Sequence, residues 1–341
     1  MAKVVLDAVG GDHAPTEAIR GVALALHKGY VQPADLVLVG PSDRVRQTMK
    51  AEGLSADIAV VDAPDMLEAD DSPIDAVRKK PRNSIVVGVG LLKEGKAQCF
   101  ISAGSTGTCV AAATVGLRCL EGIRRPGIGA IIHGEKNPFL VIDVGANPQA
   151  KPEHLLQYAI MGAAYYRGTF GVDNPRVGIL NIGSEEKKGS PLVKEARALI
   201  KQAPVNFAGN VEGVELFSGD CHVVVSDGFT GNVLLKVSEG VAEYLLRTTF
   251  AVMKQTGIDD DKVERVMAEV MPRVDYSEYG GALLLGVEGL VTICHGRSRA
   301  PAFSNAIRFA IKALSAQVNQ HIVQAARAAA STTPPDGAVS P

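Results

Sequence analysis

Lys151 and His154 stand three residues apart where an apolar run gives way to a helix, within DVGANPQAKPEH (Asp143–His154). Offsets of three place both on one helix face. A lysine there can hold phosphate, and a histidine can move protons near neutral pH. Asp143 is expected at the strand end, and Asn147 serves either a turn or a ligand. The same segment also reads as ordinary capping, because Pro152 opens the helix with Glu153 beside it. Other strand-end loops carry similar groups. SAGSTGT offers Ser102, Gly104, Ser105, Thr106 and Gly107, small residues that let an anion approach backbone N–H groups at the positive end of the next helix. NIGSEEKKG supplies Asn181 and Lys188, and SDGFTGNVLLK supplies Asp227, Thr230, Asn232 and Lys236. DAVGGDHAP puts Gly10, Gly11, Asp12 and His13 between a strand and a helix. They either face a ligand or form a tight turn capped by Asp12.

The chemistry these loops exclude is as informative. There is no G-x-S-x-G elbow, no H-E-x-x-H, no G-x-G-x-x-G and no Gly-Lys-Ser/Thr of a P-loop, so serine hydrolysis, a zincin site, a nicotinamide fingerprint and a P-loop ATP site all lack support. No cysteine sits in a setting that would lower its pKa. If the reaction is acyl transfer, the nucleophile is then a bound substrate rather than a side chain. A basic run, Arg78, Lys79, Lys80 and Arg82, reads as a solvated face with an anion role left open.

The elements that must position these loops follow from hydropathy. Continuous β-branched runs such as FLVI and HVVV signal strands buried on both faces of a sheet covered by helices. Strand and helical segments alternate through most of the chain, implying βαβ crossovers and a mainly parallel sheet in a three-layer α/β/α fold. Ligands in such sheets bind outside the strands' carboxyl ends, so the loops are expected together on one sheet edge. Residues 231–275 are helical for most of their length, with a turn near Gly257–Asp260, and are expected to project as an arm. Ala302–Ala328 reads as one amphipathic closing helix. Residues 1–330 are taken as one catalytic domain with a cleft between two lobes, and 331–341 as a disordered tail rich in Pro, Ser, Thr and Gly.

Composition bounds the partners. With 341 residues, 35 Lys+Arg against 37 Asp+Glu give a net charge of -2, so no global field favours nucleic acid. The 5 cysteines form no C-x-x-C and read as reduced core residues of a cytoplasmic protein, with no metal expected. No signal peptide is legible, and no apolar run approaches the ~18 residues that span a bilayer.

Taken in order, DAVGGDHAP, RKK, SAGSTG, DVGAN, KPEHLLQYAIMG, NPRVGILNIGSEEKKG, GNVEG, SDGFTGNVLLK, DYSEYGGALLLG and CHGRS resemble the PlsX family of bacterial phosphate acyltransferases over nearly everything except the tail. The resemblance implies that acyl-(acyl carrier protein) and inorganic phosphate give acyl phosphate and free carrier protein. It implies no cofactor, a homodimer, and a fold akin to phosphotransacetylases and isocitrate/isopropylmalate dehydrogenases. The product would feed the membrane acyltransferase PlsY, with weak peripheral membrane contact. In the mechanism fitting both readings, SAGSTG amides and Lys151 hold phosphate. Lys188 or Asn181 steadies the carbonyl oxygen, and His154 or His13 protonates the departing thiolate. Arg124-Arg125 or Lys187-Lys188 meets the acidic carrier protein. The rival readings are a decarboxylating dehydrogenase of similar architecture and a non-catalytic carrier-protein or membrane scaffold.

Overall fold

The computed structural model describes residues 3–68, 70–274 and 276–332. Its elements run β1 (Val4–Asp7), α1 (Thr16–His27), β2 (Leu36–Gly40), α2 (Ser42–Ala51), β3 (Ala59–Asp62), α3 (Pro73–Lys79), α4 (Ser84–Lys93), β4 (Cys99–Ser102) and α5 (Thr106–Leu117). An antiparallel pair follows, β5 (Gly127–Ile132) and β6 (Phe139–Ile142). Then come α6 (Pro152–Phe170), β7 (Arg176–Asn181), α7 (Pro191–Gln202), β8 (Asn206–Glu212) and β9 (Val223–Val225). The chain closes with α8 (Gly228–Gln255), α9 (Asp260–Val274), β10 (Ala282–Leu285), β11 (Leu290–Ile293), α10 (Ala300–Ser315) and α11 (Val318–Thr332).

All the strands join one 11-stranded sheet in the order β3-β2-β1-β4-β11-β10-β5-β6-β9-β7-β8. Successive side chains of a strand point to opposite faces, and here both faces are apolar. Val4 and Leu6 enter one core while Val5 enters the other; Leu140 and Ile142 are likewise separated from Phe139 and Val141. Helices cover both faces, as the unbroken β-branched runs require.

Strand polarity corrects one expectation. β10 runs against both of its neighbours, and β5 runs against β6. The parallel block of β1, β4 and β11 therefore points opposite to the block of β6, β9 and β7. Their carboxyl-end loops lie at opposite rims of the sheet, not on one edge. Three antiparallel pairings in a row produce the reversal, and the first is the hairpin GALLLGVEGLVTICHG, whose Gly286 and Gly289 turn the chain at φ +93° and +129°, a region L-residues rarely enter.

α8 connects the two rims. It starts at the end of β9, where its only buried residues are Gly228 and Gly231. A helix rises ~1.5 Å per residue, so the stretch from Asp227 to Lys236 covers about 14 Å. Beyond that it runs on to Gln255, and a turn between Gln255 and Asp260 leads into α9; Asp275 lies outside the described residues. Its exposed face carries Val237, Val241, Tyr244 and Leu245. The closing helix is two helices, because Gln317 adopts a positive φ of 49° between α10 and α11. α10 packs on α1, and α11 on α6. Ser331 and Thr332 end α11 rather than opening the tail, and the rest of the expected tail lies outside the described residues. No helix among the described residues is long and apolar enough to cross a membrane.

Candidate active site

Asp7, at the carboxyl end of β1, ties two loops together from a fully buried position. Its Oδ1 accepts the N–H groups of Val9 and Gly10, each at 3.0 Å. Its Oδ2 accepts the Ser102 hydroxyl at 2.7 Å, and Ser102 Oγ in turn accepts Gly104 N–H at 3.0 Å. The loops meet so closely that a Cβ on Gly10 would lie 2.7 Å from Gly104 N. The loop after β11 joins them where Asp12 N–H donates to Gly296 O at 2.8 Å. Neighbouring strands β1, β4 and β11 thus bring three loops to one rim. The first turn of α5, capped by Ser105 Oγ accepting Thr108 N–H, aims its positive end into the same space.

These loops and the segment around Asp65–Glu68 enclose a cavity of about 570 Å³. Gly10, Gly11, Asp12, Gly104, Ser105 and Thr106 line it, with Ser102 buried beneath. Its acidic wall is partly neutralised, since Lys80 pairs with Asp71 at 2.6 Å. The basic run is engaged in such surface pairs: Lys79 with Asp75, and Arg82 with Asp62.

Lys236 reaches this cavity from α8. Its Nζ pairs with Glu239 Oε2 at 2.8 Å, and that carboxylate stands 3.9 Å from His295 Nε2. His295 Nδ1 accepts Arg297 N–H at 3.1 Å, which puts the ring proton of the neutral form on Nε2. Burial, and next the Lys236 cation, push the His295 pKa below its ordinary value. The result is a histidine held neutral with its N–H beside a lysine.

A second cavity of about 360 Å³ opens from the same point, sharing Thr106, Lys236, Cys294 and His295 with the first. Gly107 and Asn232 line it. Asp143 does not reach either cavity. Its four hydrogen bonds, from Ile128, Gly145, Ala146 and Asn147 N–H, shape the loop after β6. Asn147 Nδ2 is spent on Pro126 O and the Tyr158 hydroxyl. Asp227 caps α8, accepting the N–H groups of Phe229 and Thr230 and the Thr230 hydroxyl. These residues build the platform from which Lys236 reaches across.

His13, Lys151, His154, Asn181 and Lys188 line neither cavity. His154 caps the start of α6, its Nδ1 accepting Lys151 N–H at 3.1 Å while its own N–H donates to Lys151 O at 2.9 Å. Asn181 Nδ2 donates to Lys188 O, and Lys188 pairs with Glu185. Both groups follow strands of the block whose loops lie at the opposite rim. Sequence reasoning missed Asp7, Glu239 and His295. The signal for His295 was present in CHGRS, a polar His-Gly turn directly after an apolar run, as in the other loops.

Burial pushes the Asp7 pKa up despite its hydrogen bonds. The folded state then holds a proton that the unfolded chain releases above the ordinary 3.8, so this group makes stability fall as pH rises from there through the raised folded value. Asp7→Asn can keep the Val9 and Gly10 bonds and offer Nδ2 to Ser102 Oγ. Its thermal midpoint is expected to decline less than the parent's between pH 4 and pH 7. Equal slopes in melting scans across that window would contradict this account.

Among the described residues no three His, Cys, Asp or Glu side chains group as a metal site. The first cavity is lined by backbone N–H groups and hydroxyls, by Lys236 and His295, and by the carboxylates of Asp7, Asp12, Asp65, Glu68 and Asp71.

Comparison with known proteins supplies the family. The family model described as "Fatty acid synthesis protein" matches residues 2–321. The phosphate acyltransferase of Heliobacterium modesticaldum is 42% identical, covering 94% of this chain and 97% of its own length. That of Desulfitobacterium hafniense strain Y51 is also 42% identical, covering 91% and 93%. Among solved structures, a phosphotransacetylase from Streptococcus pyogenes superposes with a TM-score of 0.60 at 17% identity, covering 92% of this chain and 94% of its own. EutD phosphotransacetylase from Staphylococcus aureus does so at 0.55 and 18%, covering 96% and 94%. The structural likeness shows the fold, an α/β architecture shared with phosphotransacetylases. The sequence likeness shows the activity class, and the chain belongs to the phosphate acyltransferases of the fatty acid synthesis protein family.

Proposed function

We propose that orthophosphate held in the first cavity attacks the thioester carbonyl of an acyl-(acyl carrier protein) directly. The observation that carries this reading is the convergence of three strand-end loops and the α5 N-terminus on one cavity reached by Lys236. A phosphate oxygen forms the new C–O bond as the C–S bond breaks. The proton of HPO₄²⁻ leaves with the thiol, so acyl phosphate and free carrier thiol are the only products. Amides of the Gly10–Asp12 and Gly104–Thr106 loops and the Lys236 cation offset the phosphate charge. Holding it against the carbonyl supplies up to ~7–11 kcal/mol. Lys236 takes the part that the sequence suggested for Lys151. His295, which lines both cavities, is the donor to the developing oxyanion, a role worth ~3–4 kcal/mol. The described cysteines do not compete as nucleophiles: burial pushes Cys109 up to about 12 and Cys294 higher still.

The carrier protein is acidic and calls for a local basic surface. Arg125, Lys151 and Arg124 are close enough that each lowers the His154 pKa, after burial, and this corner at the start of α6 suits it. The exposed apolar stripe of α8 pairs with a second copy as a homodimer; a monomer mass in sedimentation equilibrium would remove that part. The central test supplies acyl carrier protein thioester with hydroxylamine as trap. Hydroxamate is expected only when phosphate is present. None with phosphate, or equal amounts without it, would overturn the reaction.

A further inference from the structure

The two cavities that meet at Thr106, Lys236 and His295 differ in chemistry. The first is ringed by N–H groups, hydroxyls and carboxylates. The second runs between the sheet face and α8, and Ile128, Ala130, Val144, Leu235, Ala282 and Ile293 form its walls. Ile128 and Ala130 come from β5, Ile293 from β11 and Leu235 from the turn of α8 that also carries Lys236. Apart from Asn232 and Glu239, its polar side chains are those at the shared mouth.

Such a groove distinguishes between the two arms of a thioester. The pantetheine arm carries two amides, and burying an unpartnered amide is costly. A hydrocarbon chain has no polar atom to satisfy and gains from every methylene removed from water. Resting on the reaction proposed above, we infer that the second cavity receives the hydrocarbon chain of the acyl thioester, setting its carbonyl carbon at the Lys236–His295 mouth beside the bound phosphate. The pantetheine arm then leaves through the open side, toward the carrier protein. The walls of β5 and α8 become the determinants of chain length.

Ala130→Leu narrows the groove from the sheet side, and Leu235→Ala widens it from α8. Each methylene excluded from an apolar site lowers affinity about fourfold. Ala130→Leu is therefore expected to lower kcat/KM for a hexadecanoyl thioester more than about tenfold relative to a butanoyl thioester, with KM for phosphate unchanged. Leu235→Ala is expected to move the same ratio the opposite way, and covers the case in which the narrowed variant does not fold. Unchanged ratios in the folded variants, with acyl phosphate still made, overturn the groove assignment and leave the reaction intact. If the parent makes no acyl phosphate from any chain, the reaction fails instead. Binding of pyrene-labelled hexadecanoic acid then decides the groove: it must bind the parent and weaken in Ala130→Leu, and no binding ends the proposal.

Discussion

Lys236→Ala is expected to lower phosphate-dependent turnover by about 10²–10³-fold, the scale set by removing one preorganised charge-stabilising donor. Lys236 stands at the mouth shared by both cavities, so its loss removes a cation from the site of bond exchange. Its own side chain is 49% exposed but that of Glu239 is only 10% exposed, so removing the lysine leaves a largely buried carboxylate without its cation and lowers the thermal midpoint. KM for phosphate is expected to rise and kcat to fall, read on the protein while it is still folded. A second signature follows from His295, whose pKa the Lys236 cation helps depress. Without it His295 protonates at higher pH, and the acid limb of the rate profile moves upward. Normal turnover with the parent's phosphate KM would exclude Lys236 from the reaction.

Gly231→Ala should be nearly as damaging although Gly231 touches no cavity. A Cβ there would sit 1.9 Å from the Asp143 carbonyl oxygen, and a backbone atom in a loop held by four hydrogen bonds has little room to yield. The helix must move instead, by an ångström or more, and Lys236 moves with it. Misplacement of about 1 Å costs on the order of 10²-fold in rate, and overpacking costs about 1–3 kcal/mol in stability. Gly240→Ala on the same helix is the control. A Cβ at Gly240 meets nothing within 4 Å, so exchange for a better helix former is expected to raise stability by up to about 1 kcal/mol. The two variants should part company in both melting temperature and kcat/KM. Equal behaviour would show that the first turn of α8 does not set the lysine.

The elements were largely legible because their signals are local. β-branched runs ended in Gly, Asn and Asp, and each became a strand followed by a turn. The pair α8 and α9 was legible as a helical stretch too long for one crossover. The loop after β4 read as an anion cradle and the loop after β1 as either a ligand loop or a tight turn, and both line the first cavity. The closing helix was misread because the break at Gln317 rests on one residue's positive φ, which no apolar period records. Lys151 and His154 attracted attention by their spacing, and that spacing also lets the His154 ring cap the Lys151 N–H at the start of α6. Asn147 and Asp227 show the same ambiguity: a polar side chain able to hold a ligand is equally able to hold its own backbone.

Sequence by itself determined the fold class, the family and its activity, and the absence of the familiar covalent-catalysis and nucleotide motifs, since all of these reside in residue order. Only the tertiary structure decided which loops share a site. Strand polarity is set by pairing between segments distant in the chain, and the antiparallel β10 and β5 turn the second parallel block against the first. That reversal separates Lys151, His154 and the loop after β7 from the cradle of β1, β4 and β11. It also leaves α8 to span the sheet face, bringing Lys236 to His295. No period or motif encodes that distance, because it depends on where both ends of a helix are held.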